Sequence, residues 1–221
     1  MLKIKYLLLV SLLTPLSLAT SLAAEYLSKE NSILIEKAKA GDVEAQFKIA
    51  SAYDSGSGAP RDGSKAMKWY LMAANGGMAE AQNSVGSVFQ AEKKYKKAFK
   101  WYAKAAEQNH IVAINNLAYL HDLGLGVKQD RKKGFELYSK SANLGWPPAM
   151  WNIANAFGAG NLGEKDFYSA CVWSLRAKKY AEPDDDKLKV AVGRTIPYLE
   201  RTLNSDEFKK CESEAEAWSP Q

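Results

Sequence analysis

Histidine and cysteine are scarce in this chain, with two of each among 221 residues. His110 and His121 stand far from Cys171 and Cys211, and nothing shows the Cys/His spacing of a metal site. A metal centre is not expected. Cysteine nucleophilic catalysis is not expected either, because both thiols fall in helical segments that read as packed. Each G-x-G lacks a following Lys-Ser/Thr and a preceding strand, so phosphate-loop chemistry has no support. No serine sits in a nucleophile elbow. Beyond residue 23 there is no long apolar run, so no membrane span is expected there. The net charge is +5, with the lysines spread over many helical faces. That distribution suits a solvated surface better than the concentrated basic stripe a nucleic acid needs. The chain reads as a non-enzyme without a cofactor, and no nucleic-acid partner is expected.

What is present begins with a leader. Lys3 and Lys5 precede the apolar run Tyr6 to Leu13, then Pro15 and the small residues "SLATSLAA" follow. A basic start, a short apolar core and an A-x-A-like end mark a secretory signal at 1–23, cut between Ala23 and Ala24. The alternative, an uncleaved anchor, would have to span with a core interrupted by Pro15. The exported chain carries +3 and resides in the periplasm or outside the cell. There Cys171 and Cys211 have two readings, a disulfide or two small buried thiols.

The remainder is written in repeats. Ala45, Ala81, Ala113 and Ala149 open successive copies at intervals of 36, 32 and 36 residues. Four residues on comes an aliphatic (Ile49, Val85, Leu117, Ile153), and next to it a small residue (Ala50, Gly86, Ala118, Ala154). Three further on is a ring, Tyr53, Phe89, His121 or Phe157. These positions share one helical face. The loops "GSGAPRD" and "GLGVKQD" then supply glycine for a left-handed helix end, and Asp62 and Asp130 for capping the next helix. The second copy lacks this loop. A second helix follows, with small residues (Ala66, Ala98, Gly134, Ala170; Ala73, Ala105, Ser141, Ala177) around Trp69-Tyr70, Trp101-Tyr102, Leu137-Tyr138 and Trp173-Ser174. Small side chains suit close helix crossings and the rings fill the space beside them. One helical hairpin cannot bury both faces, so neighbours must stack. The stretch 24–42 reads as an N-terminal cap, with 33–42 aligning with a second helix, and 43–78, 79–110, 111–146 and 147–178 as four repeats. At 179–221 we expect capping helices, one starting at "DDD" and broken at Pro197, the last capped by Asn204 and Glu207.

These columns resemble the Sel1-like repeat, a relative of the tetratricopeptide repeat. "AQFKIASAYDSGSGAPRDGSKAMKWYLMAANGG" and "AINNLAYLHDLGLGVKQDRKKGFELYSKSANLG" carry the matching features, as does the closing "LNSDEFKKCESEAEAW". The resemblance implies an all-α, right-handed solenoid of stacked antiparallel helix pairs, serving as a scaffold or adaptor for a protein or peptide. By analogy with tetratricopeptide packing, the concave face would come from Phe47, Ser51, Asp54, Asn83, Ser87, Gln90, Asn115, Tyr119, Asp122, Trp151 and Asn155. Amides and hydroxyls can satisfy an extended backbone and rings can anchor it, whereas the plainer reading is a wetted inner surface. Asn116 and Asn152 recur at one repeat position, and a structural hydrogen bond to a neighbouring loop is expected of them. Other functions remain open: a hydrolase acting on β-lactams or cell wall, or a structural part of an envelope assembly. The paired cysteines of β-lactam-linked relatives are missing from these repeats.

Overall fold

The computed structural model describes residues 32–57 and 59–221; the leader at 1–23 and residues 24–31 of the N-terminal cap lie outside them. Every regular element among the described residues is a helix. A short α1 (32–39) leads into four pairs: α2 (Val43–Ser55) with α3 (Gly63–Asn75), α4 (Ala79–Ala91) with α5 (Tyr95–Glu107), α6 (Ile111–Leu123) with α7 (Arg131–Asn143), and α8 (Pro147–Ala159) with α9 (Phe167–Tyr180). Two further helices, α10 (Asp186–Thr202) and α11 (Ser205–Ala217), close the array. The architecture is an α-solenoid of antiparallel helix pairs.

Local chemistry sets the boundaries. The carboxylates of Asp62, Asp130 and Asp166 accept from the backbone N–H groups of Lys65, Lys133 and Ser169, capping α3, α7 and α9. Gly56, Gly124 and Gly160 end α2, α6 and α8 at φ of 79°, 69° and 72°, the left-handed region that glycine enters freely. In the shorter second repeat the turn is made by Lys93 instead, at φ 58°. Asn204 and Glu207 form a complete capping box on α11.

The small columns are where the helices meet. Ala50, Ala73, Ala81, Ala98, Ala105, Ala113 and Ala118 are fully buried. At Gly86 even one methyl is too much, since a Cβ there would lie 2.6 Å from the Tyr102 ring. The ring column joins neighbouring packing clusters. Tyr53 is shared between the first two, Phe89 between the next two, and Phe157 between the last repeat and the C-terminal helices. His121, the third member, meets Phe99 edge to face at 5.4 Å. Burying each large apolar side chain is worth roughly 1.5–3 kcal/mol.

Side-chain bonds show how the pairs stand abreast. Asn116 donates to Asn83 and Asn152 donates to Asn115, tying first helices to one another. Gln108 donates to the Gly77 carbonyl and Lys140 to Asn109, tying the ends of second helices. First helices therefore form one layer and second helices the other.

The C-terminal cap departs from expectation at Pro197, where α10 continues instead of breaking. Proline removes the bond to the Gly193 carbonyl and crowds it. That side of the helix is open: beyond the adjoining backbone of α10 itself, nothing among the described residues lies within 4 Å of a Cβ at Gly193. Burial holds both halves in line: Leu188 and Val192 pack with Ile153 and Ala177, while Leu199 packs with Cys171 and Ala215. Cys171 and Cys211 are bonded as a disulfide that joins α9 to α11, with Cα atoms 6.2 Å apart. Trp218 then lies edge to face with both Trp173 and Tyr180.

Candidate functional site

The positions expected to line the concave face all lie on the first-helix layer, but not with equal access. Ser51, Asp54, Ser87, Tyr119 and Asn155 are exposed. Phe47, Asn83, Gln90, Asp122 and Trp151 are half-buried, and Asn115 is buried. Two of the amides are occupied internally. The side-chain oxygens of Asn83 and Asn115 accept from Asn116 and Asn152 at 3.1 and 3.0 Å. The latter two were expected to bond a neighbouring loop. Stacking instead sets each beside the preceding first helix, and the partner is an asparagine there. Gln46 and Gln82 are also structural, each donating to the carbonyl eight residues before it, at Ala38 and Ala74.

The second helices add groups to this face that the sequence reading assigned to the core. Tyr70, Tyr102 and Tyr138 have buried rings. Yet the Tyr102 hydroxyl reaches Ser87 at 3.2 Å, and the Tyr70 hydroxyl approaches the Asp54 carboxylate at 3.5 Å. Burial pushes all three phenols above their ordinary pKa, and Asp54 adds to this at Tyr70 and Asp122 at Tyr138. They stay protonated donors. Burial also raises the Asp122 carboxyl, against the pull of the Arg131 guanidinium 4.0 Å away. The available signal was the polar residue 15 or 16 positions before each tyrosine.

One acceptor on this face lacks a partner: the buried side-chain oxygen of Gln90 meets no donor among the described residues. Phe47 lies against Tyr70 with ring centroids 5.6 Å apart, while Tyr119 is exposed. In the fourth repeat the pattern lapses, because Ser174 stands in the tyrosine column and Gly158 in that of Asp54 and Asp122. The face thus offers hydroxyls, two carboxylates and rings in one row. Among the described residues no group of three His, Cys, Asp or Glu side chains could hold a metal ion. Nor is any helix among them long and apolar enough to cross a membrane.

Helix pairs stacked in this way define a repeat solenoid of the kind that presents a surface instead of an enclosed pocket. The Sel1 repeat model matches residues 43–78, 79–110 and 111–146. A Sel1 repeat protein from Oxalobacter formigenes is 33% identical, with a TM-score of 0.50, covering 55% of this chain and 94% of that one. The chain belongs to the Sel1 repeat family, whose members generally act as protein–protein interaction scaffolds. It is also similar to c5321, a protective antigen of uropathogenic Escherichia coli strains with an SLR fold: TM-score 0.75, 25% identity, 84% of this chain. A sel1-like repeat-containing protein of Acanthamoeba polyphaga mimivirus is 27% identical over 147 residues, 66% of this chain. The chain spans 39% of c5321 and 27% of the viral protein.

Proposed function

We propose that this protein is an exported, non-catalytic adaptor that receives an extended segment of a partner protein along its first-helix layer. The observation that carries the reading is the row of accessible polar groups backed by tyrosine hydroxyls: Ser51 and Asp54 beside Tyr70, Ser87 beside Tyr102, Tyr119 and Asp122 beside Tyr138. An extended backbone needs donors and acceptors at regular intervals, and a stacked array repeats them. Exposed Tyr119 supplies an anchor at low entropy cost. Asp54 and Asp122 favour a segment that carries lysine or arginine. The disulfide supports an oxidising compartment, as does the basic, apolar leader.

Capture of partners from envelope extract by the wild type, by Tyr119→Ala and by Asp54→Ala tests the assignment. Tyr119 is exposed, so Tyr119→Ala should melt with the wild type, whereas Asp54→Ala also takes the acceptor from the hydroxyl of buried Tyr70 and is compared at a temperature where both variants are folded. Loss of the same captured protein in both is the expected result; full retention by the folded variants overturns the face assignment. The export half is tested separately by sequencing the N-terminus of protein recovered from fractionated cells. A chain beginning at Ala24 is expected, and protein confined to the cytoplasm with the leader intact would refute export.

A further inference from the structure

Charge divides between the two layers. The first helices α2, α4 and α6 carry one lysine against four carboxylates. The second helices α3, α5 and α7 carry ten cationic side chains against two carboxylates, and all ten are exposed. Lysines that read in sequence as scattered over many faces are therefore collected on one side of the solenoid.

The centre of this side is α5. Lys96, Lys97, Lys100 and Lys104 have no ion-pair partner among the described residues. Lys97 and Lys104 lie over the rings of Phe89 and Trp101, at 5.3 and 4.5 Å. Lysines four apart on one helix repel, which lowers helix stability by a few tenths of a kcal/mol for each pair. The ring contacts offset this at Lys97 and Lys104, while Lys96 and Lys100 have neither a ring contact nor an ion pair among the described residues. Lys93 and Lys94, in the turn before α5, extend the patch, though Lys94 is paired with Glu92.

We propose that the second-helix layer, centred on α5, is a peripheral docking surface for an anionic lipid bilayer. The shape favours a bilayer over a strand-like polyanion, since the cations cover a broad layer of helices that stand abreast, each about 20 Å long. The composition favours it too: nine of the ten cations are lysines. Lysine acts as a hydrated point charge suited to a diffuse field, whereas arginine is suited to gripping single phosphates in pairs of bonds. Basic clusters of this size on an amphipathic helix are drawn to anionic leaflets. Met72, exposed on α3, offers an apolar contact on the same layer. Docking here leaves the first-helix layer free for a protein partner.

The test is co-sedimentation of the purified protein with phosphatidylcholine vesicles, with and without phosphatidylglycerol. Binding to the anionic vesicles alone, weakening as salt is added, is expected. Lys96→Ala and Lys100→Ala should each lower the affinity about fivefold. The triple variant Lys96→Glu, Lys97→Glu, Lys100→Glu should abolish binding, while Lys48→Glu on the opposite layer should leave it unchanged. The single substitutions read the same quantity should the triple variant fail to fold. Equal binding to neutral vesicles, none to anionic ones, or anionic binding that survives the α5 substitutions overturns the proposal. Capture by heparin without vesicle binding also overturns it, and assigns the surface to a soluble polyanion.

Discussion

Asn152 donates its side-chain amide to Asn115 at 3.0 Å, and this bond joins the first helix of the fourth repeat to that of the third. Asn115 is buried, so its oxygen has little water to turn to. Removing a donor from a buried acceptor costs about 1–3 kcal/mol, more than the net worth of the bond itself. Asn152→Ala should therefore lower the unfolding free energy by that amount. Asn115→Ala with Asn152→Ala should lose less than the two single losses added together. Urea denaturation of the four proteins checks this; strict additivity would mean that the pair does not couple.

Gly86→Ala is a second case, and it runs against the repeat pattern. Alanine stands at this column in the other three repeats, at Ala50, Ala118 and Ala154, so the change looks like a return to consensus. The geometry gives the opposite sign. The new methyl would lie 2.6 Å from the Tyr102 ring, which is 1% exposed and cannot swing into solvent. Overpacking of this kind costs typically about 1–3 kcal/mol. Even the helix-propensity gain of alanine over glycine, up to about 1 kcal/mol, should leave a net loss. A melting temperature raised by Gly86→Ala would show that the ring can yield.

Neither result could be read from the repeat pattern alone, although much of the fold could. The repeat columns made the helix pairs legible because burial of Ala81 or Ala113 depends only on helical period and neighbouring copies. The caps at Asp62, Asp130 and Asn204 were legible because capping is local. Pro197 was not: whether a proline breaks a helix depends on what holds its two halves, here Leu188 and Leu199 on different packing clusters. The partner of Asn152 depended on the stagger between repeats, which no single copy encodes. The hydroxyls of Tyr70 and Tyr102 were hidden for a related reason, since a ring can be core while its oxygen bonds a residue of the inner face. The lysines looked dispersed along the chain because one face of each second helix recurs only every 32 to 36 residues.

Acid should weaken the fold near the histidine range. His110 Nδ1 accepts from the Ala113 N–H at 3.1 Å and caps α6. Burial pushes its pKa below the ordinary value, against the pull of Glu80, and burial does the same at His121 against Asp130. The unfolded chain takes up these protons near pH ~6.5, while the folded chain resists them. Below that pH the unfolded state binds more protons, so stability falls as pH falls, until the folded histidines titrate as well. His110→Asn keeps an oxygen acceptor at the cap and should remove its share of the dependence. Urea midpoints at about pH 7.5 and about pH 5.5 read the effect; equal midpoints for the wild type would refute it.

Breaking the Cys171–Cys211 bridge should release the C-terminal cap first. The bridge closes a separation of 40 residues, for which chain entropy alone suggests about 4 kcal/mol of stabilisation. Its sulfurs sit in a cluster with Leu199 and Ala215, beside Leu203 and Phe208. Below it, Trp218 is held by the rings of Trp173 and Tyr180, by the Arg176 guanidinium, and by the Tyr180 hydroxyl donating to its carbonyl. Cys171→Ser with Cys211→Ser should therefore destabilise by about 2–4 kcal/mol. It should also redden the tryptophan emission before the helical signal is lost, as Trp218 leaves its site while α2 to α7 persist. Thiol labelling of the denatured, unreduced wild type should find no free cysteine. A variant that unfolds in one step at the wild-type midpoint would show that the bridge is dispensable and that the cap is held by packing alone.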